Sequence, residues 1–192
     1  RQQWMAVWWI SLSITTVSSG FLVLGISRLS PGLSAMLSAT MPLFTALIAV
    51  LVIAEFPGRR GYFGLLIGVV GAVFLAVPAF GSGNTTLGIV FLLISSVSWA
   101  AGAVLNKRLP GALEISPLML VALQITFSAV CLHVAVPFVE DWSETSFTWG
   151  LTLPLLYAGI PSLAVTFYLF ASVLRRAPAI QGAAVAYLTP FF

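Results

Sequence analysis

Six residues inside long apolar stretches carry groups that could bind a small solute. Hydroxyl and amide groups in such surroundings must find a hydrogen-bond partner, which is either a neighbouring helix or a bound molecule. An indole ring can form one wall of a cavity for an amphipathic or cationic solute, and a proline inside a helix frees a backbone carbonyl. These residue types therefore predict non-covalent binding rather than catalysis. The candidate substrate-binding residues are Ser38, Pro42, Trp99, Gln124, Gln181 and Tyr187.

Sequence signals of catalysis or of a cofactor are poor. The chain contains neither a His-Glu-x-x-His sequence nor a Gly-x-Ser-x-Gly turn, and its single cysteine, Cys131, cannot form a metal-binding cluster. His133, the only histidine of the chain, lies within an apolar stretch, and histidine is the residue type most often used for proton transfer in proteins. No carboxylate lies in the middle of a stretch, where it would serve as a proton relay. We therefore predict a protein that is not an enzyme, with no catalytic residue, no cofactor and no metal.

The composition places most of this chain in lipid. Of the 192 residues, 60% are hydrophobic and 7% are charged, whereas soluble domains have roughly 25% charged residues. So few charges could not cover a soluble surface, and the 14 Phe and 6 Trp exclude a disordered chain. The apolar runs do not alternate with polar residues, which predicts helices rather than the strands of a barrel. The predicted fold class is all-α, a polytopic transmembrane helix bundle.

Seven apolar stretches, each bounded by charge, proline or glycine, are the predicted spans. The breaks between them are too short to hold a soluble domain, so we expect antiparallel neighbours in a compact bundle. The stretches are Trp4–Ile26, Pro31–Ala54, Tyr62–Phe80, Leu87–Leu105, Pro117–Val139, Trp149–Leu174 and Pro178–Phe192. Because the sequence starts at Arg1 and ends inside the last stretch, we expect a piece of a longer membrane protein.

The basic residues predict which side of the membrane each break faces. If successive breaks alternate sides, one side collects seven of the eight Lys and Arg residues, and the other side holds only Arg28. Basic residues concentrate in cytoplasmic loops. We therefore predict a multi-pass protein of the cell (inner or plasma) membrane with Arg1, Arg59, Lys107 and Arg175 on the cytoplasmic side. The basic pairs then mark topology and contact membrane lipid, so no nucleic-acid binding is expected.

A weak internal repeat accompanies this topology. A shift of 148 residues aligns Arg28 with Arg176 and Pro42 with Pro190, together with an alanine pair and a phenylalanine pair. The predicted topology places Arg28 outside and Arg176 inside, so the two repeat units have opposite orientations. Inverted repeats of this kind are a common build of secondary transporters.

Several segments resemble the two halves of an EamA-type transporter, a family within the drug/metabolite transporter superfamily. In the first half these are Leu29-Ser-Pro-Gly-Leu-Ser-Ala35, Met41-Pro-Leu-Phe-Thr-Ala-Leu47, Ala54-Glu55 and the glycine-rich run Gly61–Gly71. In the second half they are Ser98-Trp-Ala100, Asn106-Lys-Arg108, Arg175-Arg-Ala-Pro178 and Tyr187-Leu-Thr-Pro190. Together the segments cover essentially the whole chain.

The resemblance implies ten helices in two inverted five-helix repeats, of which this chain covers about helices three to nine. Residues 1–80 would be the C-terminal part of the first repeat, about three helices. Residues 87–192 would be the N-terminal part of the second repeat, about four helices with the last one truncated. The resemblance also implies an exporter of small organic metabolites or drugs that works by alternating access, with the six candidate residues lining its cavity.

Two other functions stay open beside the transporter. The first is an intramembrane enzyme that would use His133 and a serine on a lipid-linked substrate. The second is a non-transporting membrane scaffold. Its assembly would use the face with Gly64 and Gly68, because glycines at this spacing let two helix backbones approach closely. The same glycines could instead pack within the chain, and a homodimer through this face is the less favoured expectation.

Overall fold

The computed structural model describes residues 2–76, 83–108, 116–138, 148–179 and 181, and within them it contains helices and turns without a strand. The α-helices are α1 Gln2–Ser11, α2 Ser18–Ile26, α3 Pro31–Ser38, α4 Met41–Ile53, α5 Arg59–Ala76, α6 Gly83–Arg108, α7 Pro117–Ala135, α8 Trp149–Tyr157 and α9 Val165–Leu174. Two π-helical segments join neighbouring helices: π1, Leu12–Val17, joins α1 to α2, and π2, Ala158–Ala164, joins α8 to α9. A short 3-10 turn, Val136–Phe138, follows α7.

Five helical stretches of the described chain are long and apolar enough to cross a membrane. They are Trp4–Ile26, Pro31–Ile53, Thr86–Arg108, Leu118–Phe138 and Trp149–Leu174. The all-α, polytopic membrane class predicted from composition is therefore confirmed. The third predicted span corresponds to α5, which has 18 residues. Most of the seventh, Pro178–Phe192, lies outside the described residues.

Two of these helices begin at a Ser-Pro pair. The Ser30 hydroxyl accepts a hydrogen bond from the Leu33 amide at the start of α3, and the Ser116 hydroxyl accepts one from the Met119 amide at the start of α7. A serine oxygen satisfies an amide that has no partner within the helix. The proline that follows it loses nothing, because its missing N–H would have been unpaired at this position. The caps explain why both helices start where the sequence predicted.

The second predicted span, Pro31–Ala54, is not one continuous helix. α3 ends at Ser38, and α4 begins at Met41 after a two-residue turn. Pro42 accounts for the interruption, because it has no N–H to donate to the Ser38 carbonyl one turn earlier. The sequence prediction that Pro42 frees a backbone carbonyl in mid-span agrees with this geometry.

α6 lies at the centre of the described bundle, in contact with α1, π1, α2, α3, α4 and α9. Its glycines permit the closest of these contacts. A Cβ atom added to Gly102 would lie 2.5 Å from the Cβ of Ile14 and 2.7 Å from the Ile14 nitrogen. Only glycine therefore allows α6 to approach the backbone of π1 at this point. The main apolar cluster surrounds this contact and contains Ile10, Ile14, Ala49, Ala103, Val104, Leu174 and Ala179.

Candidate functional site

Serine hydroxyls tie the first span to α6. The Ser95 hydroxyl donates to the Ser18 carbonyl at 2.7 Å, and the two hydroxyl oxygens lie 3.3 Å apart. Five residues earlier in the first span, the Ser13 carbonyl accepts a hydrogen bond from the Ser98 hydroxyl at 2.9 Å. We call these four residues the serine seam. Ser18 and Ser95 are buried, so the seam satisfies polar groups that lipid could not.

The first half of the same span packs mainly against α7. The Ser11 hydroxyl donates to the backbone carbonyl of Gln124 at 2.9 Å, and Val7 packs against Leu120 in a buried apolar pair. π1 itself contacts both α6 and α7. We call π1 and π2 wide turns, because a π-helix holds more residues in each turn than an α-helix. The wide turn π1 therefore lies where the first span changes its main neighbour from α7 to α6.

The side chain of Gln124 is fully buried, and among the described residues neither its Nε2 nor its Oε1 atom has a hydrogen-bond partner. A primary amide can donate two hydrogen bonds and accept two. Leaving such a group unpaired away from water costs about 1–3 kcal/mol. A buried polar group of this kind requires an explanation, and a bound solute or water would supply one.

The interruption between α3 and α4 forms a second polar region. The Ser38 hydroxyl donates to the Ser34 carbonyl, and the Thr45 hydroxyl donates to the Met41 carbonyl, each within its own helix. The residues around this interruption are buried: Thr45 and Pro42 are fully enclosed, and Ser38 is half-buried. The hydroxyl of Ser34 is buried and has no partner in the described part of the chain.

Ser96 lies near the middle of α6. α3 packs with the N-terminal half of α6 in the cluster that contains Leu37 and Leu92, and α4 packs with the C-terminal half in the cluster that contains Ala49 and Ala103. Ser96 lies between these two contacts along α6. Its hydroxyl is fully buried and finds no partner among the residues that the structure describes. Two unpaired hydroxyls therefore belong to the packed α3 and α6 helices.

Trp99 lies further along α6, half-buried, and packs against the main apolar cluster. Its ring centroid is 4.9 Å from that of Phe170 on α9, with the planes tilted by 43°. Phe170 was not among the predicted site residues. The sequence of the apolar stretch that contains Phe170 did not indicate which of its phenylalanines would contact α6.

The six predicted residues do not all meet at one place in the described chain. Ser38 and Pro42 lie at the α3–α4 interruption beside α6, which carries Trp99, whereas Gln124 lies on α7, next to α1 and π1. Gln181 is exposed, and its backbone N–H donates to the Pro178 carbonyl. Tyr187 lies outside the described residues.

An apolar cavity of about 410 Å³ opens at another place, between α2 and the end of α7. Its wall includes Phe21, Leu24 and Leu132, and it includes none of the five predicted residues that the structure describes. Thr16 of π1 also lines the cavity, and its buried hydroxyl has no partner in the part of the chain described.

The ends of α4 and α6 are joined by an ion pair that the sequence did not predict. Lys107 Nζ lies 2.5 Å from Glu55 Oε2 and donates to the Ala177 carbonyl at 3.0 Å. Glu55 Oε1 accepts a hydrogen bond from the Ala179 amide at 2.9 Å. We call these four residues the end clasp. Ala54, in the left-handed conformation (φ 51°), turns the chain at the end of α4 immediately before Glu55.

Two further sequence predictions concern the glycines of α5 and His133. Gly64 is exposed, and a Cβ atom added to it would meet nothing within 4 Å, while Gly68 is half-buried. Packing within the chain is thus not seen at Gly64 among the described residues. His133 is exposed on α7, and its Nδ1 lies 2.8 Å from the Ala129 carbonyl. The described residues include no group of three His, Cys, Asp or Glu that could hold a metal ion.

The sequence of this chain is similar to those of known proteins. The model of the EamA-like transporter family matches residues 1–77 and 86–192. The "Uncharacterized transporter YvbV" of Bacillus subtilis is 25% identical over 175 residues, which are 91% of this chain and 57% of that protein. An uncharacterized transporter of Acidianus ambivalens is 28% identical over 163 residues, covering 84% of this chain and 61% of its own length.

A WAT1-related chloroplastic protein of Arabidopsis thaliana is 24% identical over 199 residues, covering 98% of this chain and 47% of its own length. The chain thus spans less than two thirds of the curated relatives it matches. No solved structure matches the chain.

Proposed function

Since this chain belongs to the EamA-like transporter family, we propose that the complete protein exports a small organic metabolite or drug by alternating access. The relatives are named transporters, which favours a membrane transporter over an enzyme. The helices long and apolar enough to cross a membrane make this a multi-pass membrane protein. The class of solute, the direction of transport and the alternating-access mechanism are our proposals.

The observation that carries the proposal is the buried amide of Gln124. Its donors and acceptor lack partners among the described residues although the side chain is fully enclosed. A solute that offered both a hydrogen-bond acceptor and a donor would satisfy this group, and the energy gained would be large because the site excludes water. Gln124 is therefore the proposed principal contact with the solute.

The α3–α4 interruption and α6, which lie apart from Gln124 in this structure, are the proposed second contact region for the solute. Pro42 leaves the Ser38 carbonyl without its helical donor, and Trp99 lies half-buried on the adjacent α6 with its ring against Phe170. Interrupted helices near the middle of a span are where secondary transporters hold solutes. Gln181 and Tyr187 complete the predicted lining, through the span that begins after Pro178.

Helix boundaries support the proposed pair of inverted repeats. The shift of 148 residues carries Ile26, the last residue of α2, onto Leu174, the last residue of α9. It also carries Leu12–Val17 of π1 onto residues 160–165, which overlap π2, Ala158–Ala164. Residues 1–80 and 87–192 would then be parts of two repeats that rock about the solute.

The end clasp supports a state in which one side of the bundle is closed. It joins Glu55 of the first proposed repeat to Lys107 and Ala177–Ala179 of the second. In the predicted topology Arg59, Lys107 and Arg175 face the cytoplasm of the cell membrane, so the closed side would be the cytoplasmic one.

The experiment that tests the proposal is solute flux by the full-length protein in liposomes. A panel of amino acids, nucleosides and cationic drugs is offered, and at least one is expected to cross faster than in empty vesicles. Gln124→Ala is expected to reduce that flux at least about tenfold, since it removes buried hydrogen bonds to the solute. Thr126→Val is the matched control, because Thr126 is exposed on the same helix and bonds its own backbone. Flux of no member of the panel would contradict the proposal.

Oligomer formation is a separate, second proposal for the α5 surface. Gly64 and neighbouring large side chains such as Phe63 and Ile67 are exposed, which leaves this helix face open to a second copy or to lipid. Small residues at this spacing permit close helix approach. We therefore propose that a homodimer would form through this face of α5. This proposal does not depend on solute transport.

A further inference from the structure

π1 and π2 occupy equivalent places in the two proposed repeats. The 148-residue shift that matches the ends of α2 and α9 also overlays the two wide turns to within two residues at either end. Runs of π-helix are rare, and they occur mostly as single wide turns at functional sites. Their occurrence at matching positions in two different sequences requires a common cause in the architecture.

The local sequences that form the two wide turns are unlike each other. π1 is Leu-Ser-Ile-Thr-Thr-Val, and its Thr15 hydroxyl bonds the Ser11 carbonyl at 2.6 Å, which satisfies an acceptor within the turn. π2 contains Pro161, which has no N–H to donate to the carbonyl one turn before it. Different residues thus produce the same backbone feature, so local propensity alone does not account for it.

The packing of the first span shows what the wide turn separates. α1 packs against α7 through Val7 and Leu120, and α2 packs against α6 through Ser18 and Ser95. The second span divides differently: in the described chain α9 contacts α6 and α7, whereas the main contacts of α8 are with π2, its own continuation along the chain. In the first span the wide turn therefore lies between halves with different main neighbours, and in the second it lies between a half that packs on other helices and a half that does not do so to a comparable extent in the described chain.

We propose that π1 and π2 are paired hinges, which let the two halves of each span tilt and rotate independently while the repeats rock about the solute. A wide turn is an α-helix with one additional residue, so its hydrogen bonds can shift by one residue without breaking the helix. The half attached to α7 can then move relative to the half attached to α6, and the serine seam stays intact. This inference rests on the proposed alternating access.

Deletion of one residue provides a direct test, because it converts a wide turn into a regular α-helical turn. Removing Thr16 from π1 leaves the seam contacts of Ser13 and Ser18 and the packing of Ile14 in place. Thr16→Ala is the matched control, because it removes the same side chain and keeps the wide turn. Deletion of Gly159, whose Cβ position is open, makes the equivalent change in π2.

The readout is accessibility of a reporter cysteine from each side of the membrane. Ser38→Cys is introduced with Cys131→Ser into the full-length protein in oriented vesicles and reacted with a membrane-impermeant maleimide. We expect labelling from both sides in this parent and in Thr16→Ala. The Thr16 deletion is expected to reduce labelling from one side at least about tenfold, because one of the two states is lost. A folded deletion variant labelled like the parent from both sides would overturn the hinge proposal.

Hydrogen exchange of the full-length protein covers the cases in which a deletion variant does not fold or the parent is labelled from one side only. The amides of Leu12–Val17 and 158–164 are expected to exchange at least about tenfold faster than those of α2 and α9. Equal protection of wide turns and flanking helices would overturn the hinge proposal. Labelling of the parent from one side alone would instead contradict alternating access, so the two failures are distinguishable.

Discussion

Lys107 Nζ lies 2.5 Å from Glu55 Oε2, which joins the last turn of α6 to the residue that follows the left-handed Ala54 after α4. The carboxylate and the amine are each about three quarters buried, with 22% and 25% of the side chain exposed. Each also bonds the backbone of the turn at Ala177–Ala179. Removal of either partner therefore leaves a charge and a backbone group unpaired at once.

Glu55→Gln and Lys107→Gln are each expected to lower the free energy of unfolding by about 1–3 kcal/mol, because each leaves a partly buried charge without its partner. The exchanged pair, Glu55→Lys with Lys107→Glu, is expected to recover part of this loss. A double-mutant cycle on thermal unfolding in detergent measures the coupling energy. Coupling that is zero within error at low salt would contradict a role for the ion pair in joining these elements.

Gly102→Ala is expected to destabilise the protein by about 1–3 kcal/mol, because its Cβ atom would overlap the backbone of Ile14. Gly64→Ala is the matched control, since nothing lies within 4 Å of its Cβ position. In a helix interior alanine is favoured over glycine by about 1 kcal/mol, so this control is expected to be neutral or stabilising. Equal unfolding temperatures for the two variants would show that the close approach of α6 and π1 is absent.

Gln124→Leu separates solute binding from a structural role. If the buried amide has no protein partner, replacing it with an apolar group of similar size removes an unpaired polar group and is expected to stabilise the protein by about 1–3 kcal/mol. Flux of the solute found with the panel is expected to fall at least about tenfold in the same variant. A loss of stability of this size together with normal flux would assign Gln124 to helix packing.

Gly68→Leu tests the proposed dimer. A large side chain on this face would separate two α5 helices, so dimers in mild detergent are expected to dissociate into folded monomers. Crosslinking and light scattering measure the change in mass. Gly150→Leu is the control, since Gly150 is exposed on a different span. Dimers that persist in Gly68→Leu would exclude this face as the contact.

Local chemistry explains which parts of the fold the sequence predicted well. The Ser30-Pro31 and Ser116-Pro117 starts depend on a cap and a proline within one turn, so they could be read from neighbouring residues. The π-helical turns could not, because π1 also depends on α6 approaching through Gly102, far away in the sequence.

The candidate site was predicted less completely than the fold. Ser38 and Gln124 were predicted as site residues because they are polar residues within apolar stretches, and both are at least half-buried. Spacing could not show that Gln124 lies against α1 whereas Trp99 lies against Phe170, because those contacts depend on how the helices are arranged. The Glu55–Lys107 pair joins residues 52 positions apart, and only the packing of α4 on α6 brings them together.

The spacing of the serine seam limits how its two helices can move. Ser13 and Ser18 are five residues apart across π1, while their partners Ser98 and Ser95 are three residues apart on α6. Sliding one helix along the other by a whole turn would break both of these contacts at once, together with the Ser18–Ser95 hydroxyl contact. The same slide would move Gly102 away from Ile14, where only glycine permits the close approach. We therefore expect α2 and α6 to move as one unit in any large rearrangement.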